Sequence, residues 1–416
     1  MASGKVYVVG AGLAGLAAAV RLSGRGAQVE VIEGAAQAGG RCRSYVDPAL
    51  GMTIDNGNHL LLSGNRSAFE YLREIGSEDR MAGPEEAAFD FCDLRDGARW
   101  TLRPNPGPLA WWVMAKGRRV PDTRAADYFA FARLVGPQGD RRVDQAIRCE
   151  GVLWDRLVDP LLLAALNTEP ATASAELAAA VIRETLLLGG RFCRPRVADP
   201  SLDAAFIAPA LARLKERGTS VRLGRRAQAL EFAGERLAAL KVADDTIALG
   251  PDDRVVLAVP PWTAQALVPD LHAPDAFRSI VNGHFKVDPP AGAPRMVGVI
   301  GGAAQWIFAF EGRISITVSG ADAIVDNDRE ELARRFWRDV SQVLGLGPEL
   351  PPWQIVKERR ATFAATPDQV AKRPGARTRW RNLVLAGDWT DTGLPATIEG
   401  AIRSGHKAAT LTLEGG

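Results

Sequence analysis

Very little in this 416-residue sequence could ligate a metal or staple a small fold. Its four cysteines, Cys42, Cys92, Cys149 and Cys193, are widely spaced and form no C-x-x-C pair. That pattern suits a reducing compartment and argues against both a disulfide framework and a zinc site, so no metal is expected. No uninterrupted apolar run approaches the ~18–20 residues that a membrane-spanning helix needs. The opening has no basic leader and no A-x-A-like cleavage site, so its first apolar run reads as a buried strand rather than a signal peptide. A cytoplasmic protein is expected, with contact to a membrane surface left open. Charge of one sign is lacking too. The 51 basic and 49 acidic residues leave a net +2, which offers no strong field to nucleic acid. Only eight of those basic residues are lysine. The clusters Lys116–Arg119, Arg222–Arg226, Lys357–Arg360 and Arg377–Arg381 therefore read as solvated faces of an Arg-rich chain. No internal repeat or low-complexity linker appears. At this length the chain can bury two or three cores, because single cores stop growing near ~250–300 residues.

The first feature with chemical content is VYVVGAGLAGLAAAVRL, from Val6. Lys5 to Val9 is rich in β-branched residues and predicts a buried strand, and Leu16 to Leu22 predicts a helix. Between them Gly10, Gly12 and Gly15 fit G-x-G-x-x-G. The first glycine permits the tight turn, the second lets backbone approach a pyrophosphate, and the third allows close helix–strand packing. Gln28 to Ile32 predicts the next strand, and Glu33 follows at about the ~20-residue offset of a ribose-binding acid. An acid there disfavours a 2′-phosphate. A lone G-x-G-x-x-G is weak, but strand, helix, second strand and acid together predict a dinucleotide site.

FAD is preferred over NAD on two further segments. Gly39-Gly40-Arg41 is a second glycine turn whose guanidinium could reach a phosphate or the flavin edge. Near the other end, Asn382 to Asp388 reads as a buried strand ending in Gly387 and an acid, with a helical stretch from Ile398 to Ala409. FAD is long and needs contacts from distant segments, whereas NAD is usually held in one local unit. No second G-x-G-x-x-G appears, so a separate nicotinamide domain is not expected.

These motifs resemble the FAD-dependent amine oxidase and carotenoid desaturase superfamily. The opening, the GGR segment and LVLAGDWTDTGLPATIEGAIRSG near the C-terminus are similar to its signature. WDRLVDPLLLAALNTEPATASA from Trp154 resembles its squalene-associated branch. So do DNGNHLLL from Asp55, IVNGHFKVD from Ile280, AAQWIF from Ala303 and KERRATFAATP from Lys357. The resemblance runs nearly the whole chain. It implies FAD held by Gly10, Gly12 and Gly15 at the pyrophosphate, Glu33 at the ribose, and Gly40 and Arg41 beside phosphates and flavin. Gly387 and Asp388 would serve the ribityl or pyrophosphate region, and Ala396, Thr397 and Ile398 the flavin ring. Ala227 stands where the family commonly has Val, with backbone contact to adenine that does not depend on the side chain. The implied activity is reductive removal of the allylic hydroxyl of hydroxysqualene to give squalene in bacterial hopanoid synthesis. Hydride would come from reduced FAD, and an external electron donor would supply the electrons. The rivals are a carotenoid desaturase or amine oxidase, and a flavin-binding scaffold without catalysis.

The expected fold is α/β, with a discontinuous Rossmann-like FAD-binding domain from residues 1–85, 203–262 and 379–416. Residues 86–202 and 263–378 would form an α+β substrate domain. A helix is expected over Leu202 to Arg217, and strands near Ser220 to Leu223 and over Arg254 to Val259. Met296 to Ile300, Trp306 to Phe310 and Ile314 to Val318 are strand-like with only partial alternation, and Glu330 to Leu344 is an amphipathic helix. Leu109 to Arg119 sets two tryptophans and aliphatic residues before a basic end. That suits either peripheral docking on the inner face of the cytoplasmic membrane or a partly buried helix. Loss of hydroxide calls for a proton donor. His59 and His284 are the candidate catalytic residues, each with a structural hydrogen-bonding role as its alternative. Asp55 is expected to brace its loop, and Asp391 and Glu399 to cap or orient backbone. His272 and His406 have no supporting context.

Overall fold

The computed structural model describes residues 4–415. Its organising layer is a five-stranded, all-parallel sheet in the spatial order Ser220–Arg222, Gln28–Ile32, Lys5–Val9, Arg254–Leu257 and Leu383–Leu385. The three strands on one side of the sheet are continuous apolar runs over Val6–Val9, Val255–Leu257 and Leu383–Leu385, as expected where helices cover both faces, whereas the other two carry Glu30, Ser220 and Arg222. The helix after the first strand begins at Leu13, three residues before the apolar run suggests, and ends at Gly24. The expected helix from Leu202 is interrupted. A π-helical turn over Asp203–Ile207 passes into an α-helix over Ala208–Glu216, where Pro209, which has no N–H to donate, occupies the first turn. The strand expected to reach Val259 stops at Leu257, and the Val259 carbonyl instead accepts a hydrogen bond from Trp389 Nε1 at 2.9 Å.

The C-terminal helix, Ile398–Glu414, lies against the opening helix in the core beneath the sheet. Small residues make this possible. A Cβ on Gly405 would stand 2.2 Å from the Ala14 carbonyl oxygen and 3.0 Å from the Ala17 methyl. The two ends of the chain thus pack backbone to backbone.

A second sheet has seven strands, ordered Trp353–Phe363, Phe277–Phe285, Arg313–Val318, Trp306–Phe310, Met296–Ile300, Phe89–Asp93 and Arg99–Leu102. All neighbours are antiparallel except Met296–Ile300 with Phe89–Asp93. Helix Arg329–Leu344 covers one face, packing Leu332, Phe336 and Val340 against Val281, Ile316 and Ile355. Alternate residues on two of these strands are polar and equally buried: Asn282 and His284, with Ser315 and Thr317. Both faces are therefore covered, which is why alternation in the sequence is only partial.

The segment from Leu109 forms short 3-10 turns, Trp111–Met114 and Lys116–Arg118, rather than a regular helix. The basic cluster near the C-terminus is paired with acids: Arg377 with Glu414, Arg379 with Asp270 and Arg381 with Glu235. All four cysteines are free thiols.

The helix contact gives a direct test. Gly405→Val should force the two terminal helices apart and cost about 1–3 kcal/mol of stability, the usual range for overpacking. Urea unfolding monitored by tryptophan fluorescence reads the shift. An unchanged midpoint would mean that the helices do not pack this closely.

Candidate active site

The glycine turn separates into residues required by the protein itself and residues that leave room. Gly10 has φ +108°, and a Cβ there would fall 2.3 Å from the Ala258 carbonyl oxygen. A Cβ on Gly15 would reach 1.9 Å from the Gly10 carbonyl oxygen. Gly12 is different, since nothing lies within 4 Å of its would-be Cβ. Gly39 bridges to Gly12 and donates its N–H to the Ala11 carbonyl at 2.8 Å. A Cβ on Gly40, at φ +57°, would meet only the Gly12 Cα, at 3.4 Å. The opening helix has no side-chain cap and no acid in its first turn, so its leading amides and its dipole face this space. A pyrophosphate fits there. Glu33 follows the second strand, its carboxylate accepting N–H bonds from Ala11 at 2.6 Å and Ala35 at 2.7 Å. Arg226, one residue before Ala227, packs against Gly34 and brings the start of strand Ala227–Ala233 beside the acid.

The far end of the chain arrives at the same place. Strand Leu383–Leu385 leads to Gly387, whose φ of +151° and close approach to the Trp389 ring exclude a side chain. The Gly387 N–H donates to Ser404 Oγ at 2.7 Å. Asp388 is buried, and both its carboxylate oxygens accept from Arg41 Nη2 at 2.7 Å. Arg41 Nη1 also donates to the Ala361 carbonyl at 2.5 Å. One guanidinium therefore joins the second glycine turn, the C-terminal segment and the seven-stranded sheet. Thr397 caps the C-terminal helix by accepting the Gly400 N–H at 3.0 Å, with Ala396 and Ile398 on either side. The N-terminal amides of that helix can stabilise negative charge on a bound ring.

Beside Arg41 and Asp388 opens a cleft walled by Trp262, Phe277, Phe363 and Trp389, with Arg360 among them. None of these five has a site role in the sequence reading: Arg360 ends a basic cluster read as a solvated face, and Phe363 and Trp389 lie in family-like segments without a local sign that they would line a cleft. Buried Arg373 was missed as well. Its guanidinium lies 4.9 Å from the Phe363 ring, and Nη2 donates to the carbonyls of Asp388 and Thr390 and to Thr392 Oγ1. Burial pushes it down to about 10. It fixes the backbone that carries Asp388.

Asp55 braces its loop, as expected. It pairs with buried Arg313 at 3.2 Å, accepts from Ser44 Oγ at 2.6 Å and accepts the Leu202 N–H at 2.9 Å. Asn282 then secures the next residues, donating to the Asn56 carbonyl at 3.3 Å and accepting the Asn58 N–H at 3.4 Å. This anchored loop places His59 half-buried in the fields of Asp55 and Arg41, and burial pushes its imidazole down to about 4. His284 is fully buried on the polar face of the large sheet, with Nδ1 2.9 Å from Ser315 Oγ, and burial pushes it to about 3. The structure therefore puts His59 near Arg41 and His284 behind it in the sheet, and both are neutral at pH 7. Glu399 is buried and accepts the Ser67 and Ala68 N–H groups at 3.1 and 2.8 Å, capping helix Arg66–Ile75. Asp391 is exposed. Among the described residues no cluster could hold a metal ion.

Comparison with known proteins agrees with this geometry. The model of the family described as flavin containing amine oxidoreductase matches residues 13–413. A hydroxysqualene dehydroxylase from Rhodopseudomonas palustris is 54% identical over 99% of this chain and 99% of its own. Another, from Sinorhizobium fredii, is 52% identical over 98% of both. Among solved structures, cyclohexylamine oxidase from Brevibacterium oxydans superposes with a TM-score of 0.72 over 99% of each chain, at 16% identity, which speaks to fold alone.

The depressed imidazoles set an acid limit on stability. An imidazole at ~6.5 when unfolded and about 3 when folded takes up its proton preferentially in the unfolded chain. The stability it contributes is complete above pH ~6.5 and falls by about 1.4 kcal/mol per pH unit as the pH drops toward 3. His284→Asn should flatten that slope by roughly one proton between pH 6.5 and 4.5, read from urea midpoints at several pH values. An unchanged slope would show that His284 is not held neutral.

Proposed function

The chain belongs to the flavin-containing amine oxidoreductase family, within it to the hydroxysqualene dehydroxylases, and from that membership we propose that it removes the allylic hydroxyl of hydroxysqualene reductively to give squalene. The cofactor is FAD, which when reduced supplies the hydride. The observation that carries the reading is the Arg41–Asp388 contact beside an aromatic cleft, because it joins the residues suited to the cofactor with a wall suited to an apolar polyene.

Each part of the chain has a task in this reading. Gly12, Gly40 and the opening helix amides receive the pyrophosphate, Glu33 the ribose, and the start of the strand at Ala227 the adenine. Asp388, Gly387 and residues 396–398 border the ribityl chain and ring, while Arg41 sits between phosphates and ring. His59, on the loop that Asp55 anchors, lies near Arg41 as a neutral donor or acceptor, and His284 supports the sheet against which that loop is secured. Trp262, Phe277, Phe363 and Trp389 offer the isoprenoid chain an aromatic wall. The division of labour follows residues 1–85, 203–262 and 379–416 for cofactor and 86–202 and 263–378 for substrate. Every strand of the parallel sheet falls in the first set and every strand of the seven-stranded sheet in the second.

The substrate's insolubility gives the exposed apolar residues a purpose. Leu109, Trp111 and Met114 are exposed, and Phe129 and Val135 in the following segment are exposed as well. Lys116, Arg118 and Arg119 stand among them, with the Arg118 guanidinium 5.0 Å from the Trp111 ring. Apolar and aromatic side chains interleaved with cations suit the interface of an anionic membrane leaflet. Among the described residues no helix is long and apolar enough to cross a membrane, so this contact would be peripheral.

Two experiments test these readings. Reduced protein mixed anaerobically with hydroxysqualene should reoxidise its flavin and yield squalene by mass spectrometry. Reoxidation without squalene rejects the reaction, and bleaching of the oxidised protein by phytoene or an amine would point to the desaturase or oxidase alternative. For the membrane, the wild type should float with vesicles containing phosphatidylglycerol and lose most of that binding in Trp111→Ser/Met114→Ser. Equal flotation of wild type and variant would reject this surface.

A further inference from the structure

The proposed reaction requires the carbon–oxygen bond to break with its electron pair on oxygen, and hydroxide is a poor leaving group. Both histidines offered as proton donors are neutral at pH 7, and Arg41 is committed to Asp388 and the Ala361 carbonyl. One cation in the cleft has no such commitment. The Arg360 side chain makes no hydrogen bond or ion pair among the described residues. Its guanidinium is held by ring faces alone, 4.9 Å from the Trp262 centroid and 5.8 Å from that of Phe277. Those two rings meet edge to face at 5.1 Å and so form a corner.

The backbone explains why an arginine on a sheet strand points here. Strand Trp353–Phe363 pairs with Phe277–Phe285 in register at Thr362 opposite Arg278 and again at Glu358 opposite Ile280. Ser279 alone therefore faces residues 359–361, and the strand bulges at Arg360. A bulge breaks the ladder locally and re-aims a side chain. Ala361, within the same bulge, gives its carbonyl to Arg41, which fixes the bulge against the cofactor side of the cleft. Trp262 stands in the short helix Pro261–Leu267, just past the carboxyl end of strand Arg254–Leu257, the edge of a parallel sheet where ligands bind.

We propose that Arg360 is a further catalytic residue, whose guanidinium donates hydrogen bonds to the hydroxyl oxygen of the substrate and stabilises the negative charge that develops on it as the bond opens. The inference rests on the reaction proposed above. The allylic carbon gains a hydride from reduced FAD, the carbon–oxygen electron pair passes to oxygen, and that oxygen takes a proton from solvent at the exposed mouth and leaves as water. A guanidinium suits the task because it presents several donors in a fixed plane and does not switch its charge off. Stacking on Trp262 and Phe277 holds it in place without an anion that would neutralise it.

The test uses full-length protein with Arg360→Met and Arg360→Lys, read by single-turnover flavin reoxidation and squalene formation. Arg360 is exposed, so both variants should retain wild-type flavin content and absorption spectrum. Reoxidation by hydroxysqualene should slow roughly 100-fold or more in Arg360→Met, the range for loss of one oxyanion donor, and less in Arg360→Lys. With an analogue carrying allylic chloride in place of hydroxyl, which leaves without a proton, the deficit should shrink below about tenfold, and added guanidinium should partly restore Arg360→Met. The proposal is overturned if Arg360→Met stays within about threefold of wild type, or if the hydroxyl and chloride substrates lose rate equally. A wild type that makes no squalene from hydroxysqualene overturns the reaction, and this role with it.

Discussion

Arg41 and Asp388 lie 347 positions apart in the chain, and the contact between them is the constraint on which the site depends. The guanidinium reaches both oxygens of the carboxylate and, with its other terminal nitrogen, a carbonyl of the large sheet. Three segments with no local reason to meet are thereby held in one place. Arg373 and Trp389 reinforce the same point from behind, one gripping carbonyls around Asp388 and the other bonding the Val259 carbonyl. A slack version of this junction would leave a nucleotide slot and an aromatic cleft with no fixed relation between them.

Close backbone approach makes that junction possible. Gly10 and Gly15 are glycine because the protein's own carbonyls fill the volume of a side chain, and Gly405 because the C-terminal helix lies on the opening one. Gly12 is glycine for a different reason, since the space beside it is open. The same letter at these four positions thus carries two physical meanings, packing and reception, and only the surrounding fold tells them apart.

The cleft is arranged for a reaction that develops charge in an apolar setting. Its acid is held by one arginine, and its other arginine rests on aromatic faces.

Much of the fold is legible in the chain itself. The strands at Lys5–Val9, Gln28–Ile32 and Arg254–Leu257, the glycine turn and Glu33 were legible because buried parallel strands and a turn without Cβ atoms leave local signatures. So was the cofactor class, which follows from glycine turns and acids near both ends. What the tertiary structure alone decided was of another kind. It set the neutral state of His59 and His284, the partner of Arg41, the bulge that turns Arg360 toward the cleft, and the exposure of Trp111 beside buried Trp112. Each of these depends on what lies within a few ångströms across the fold, and spacing along a chain carries no record of that.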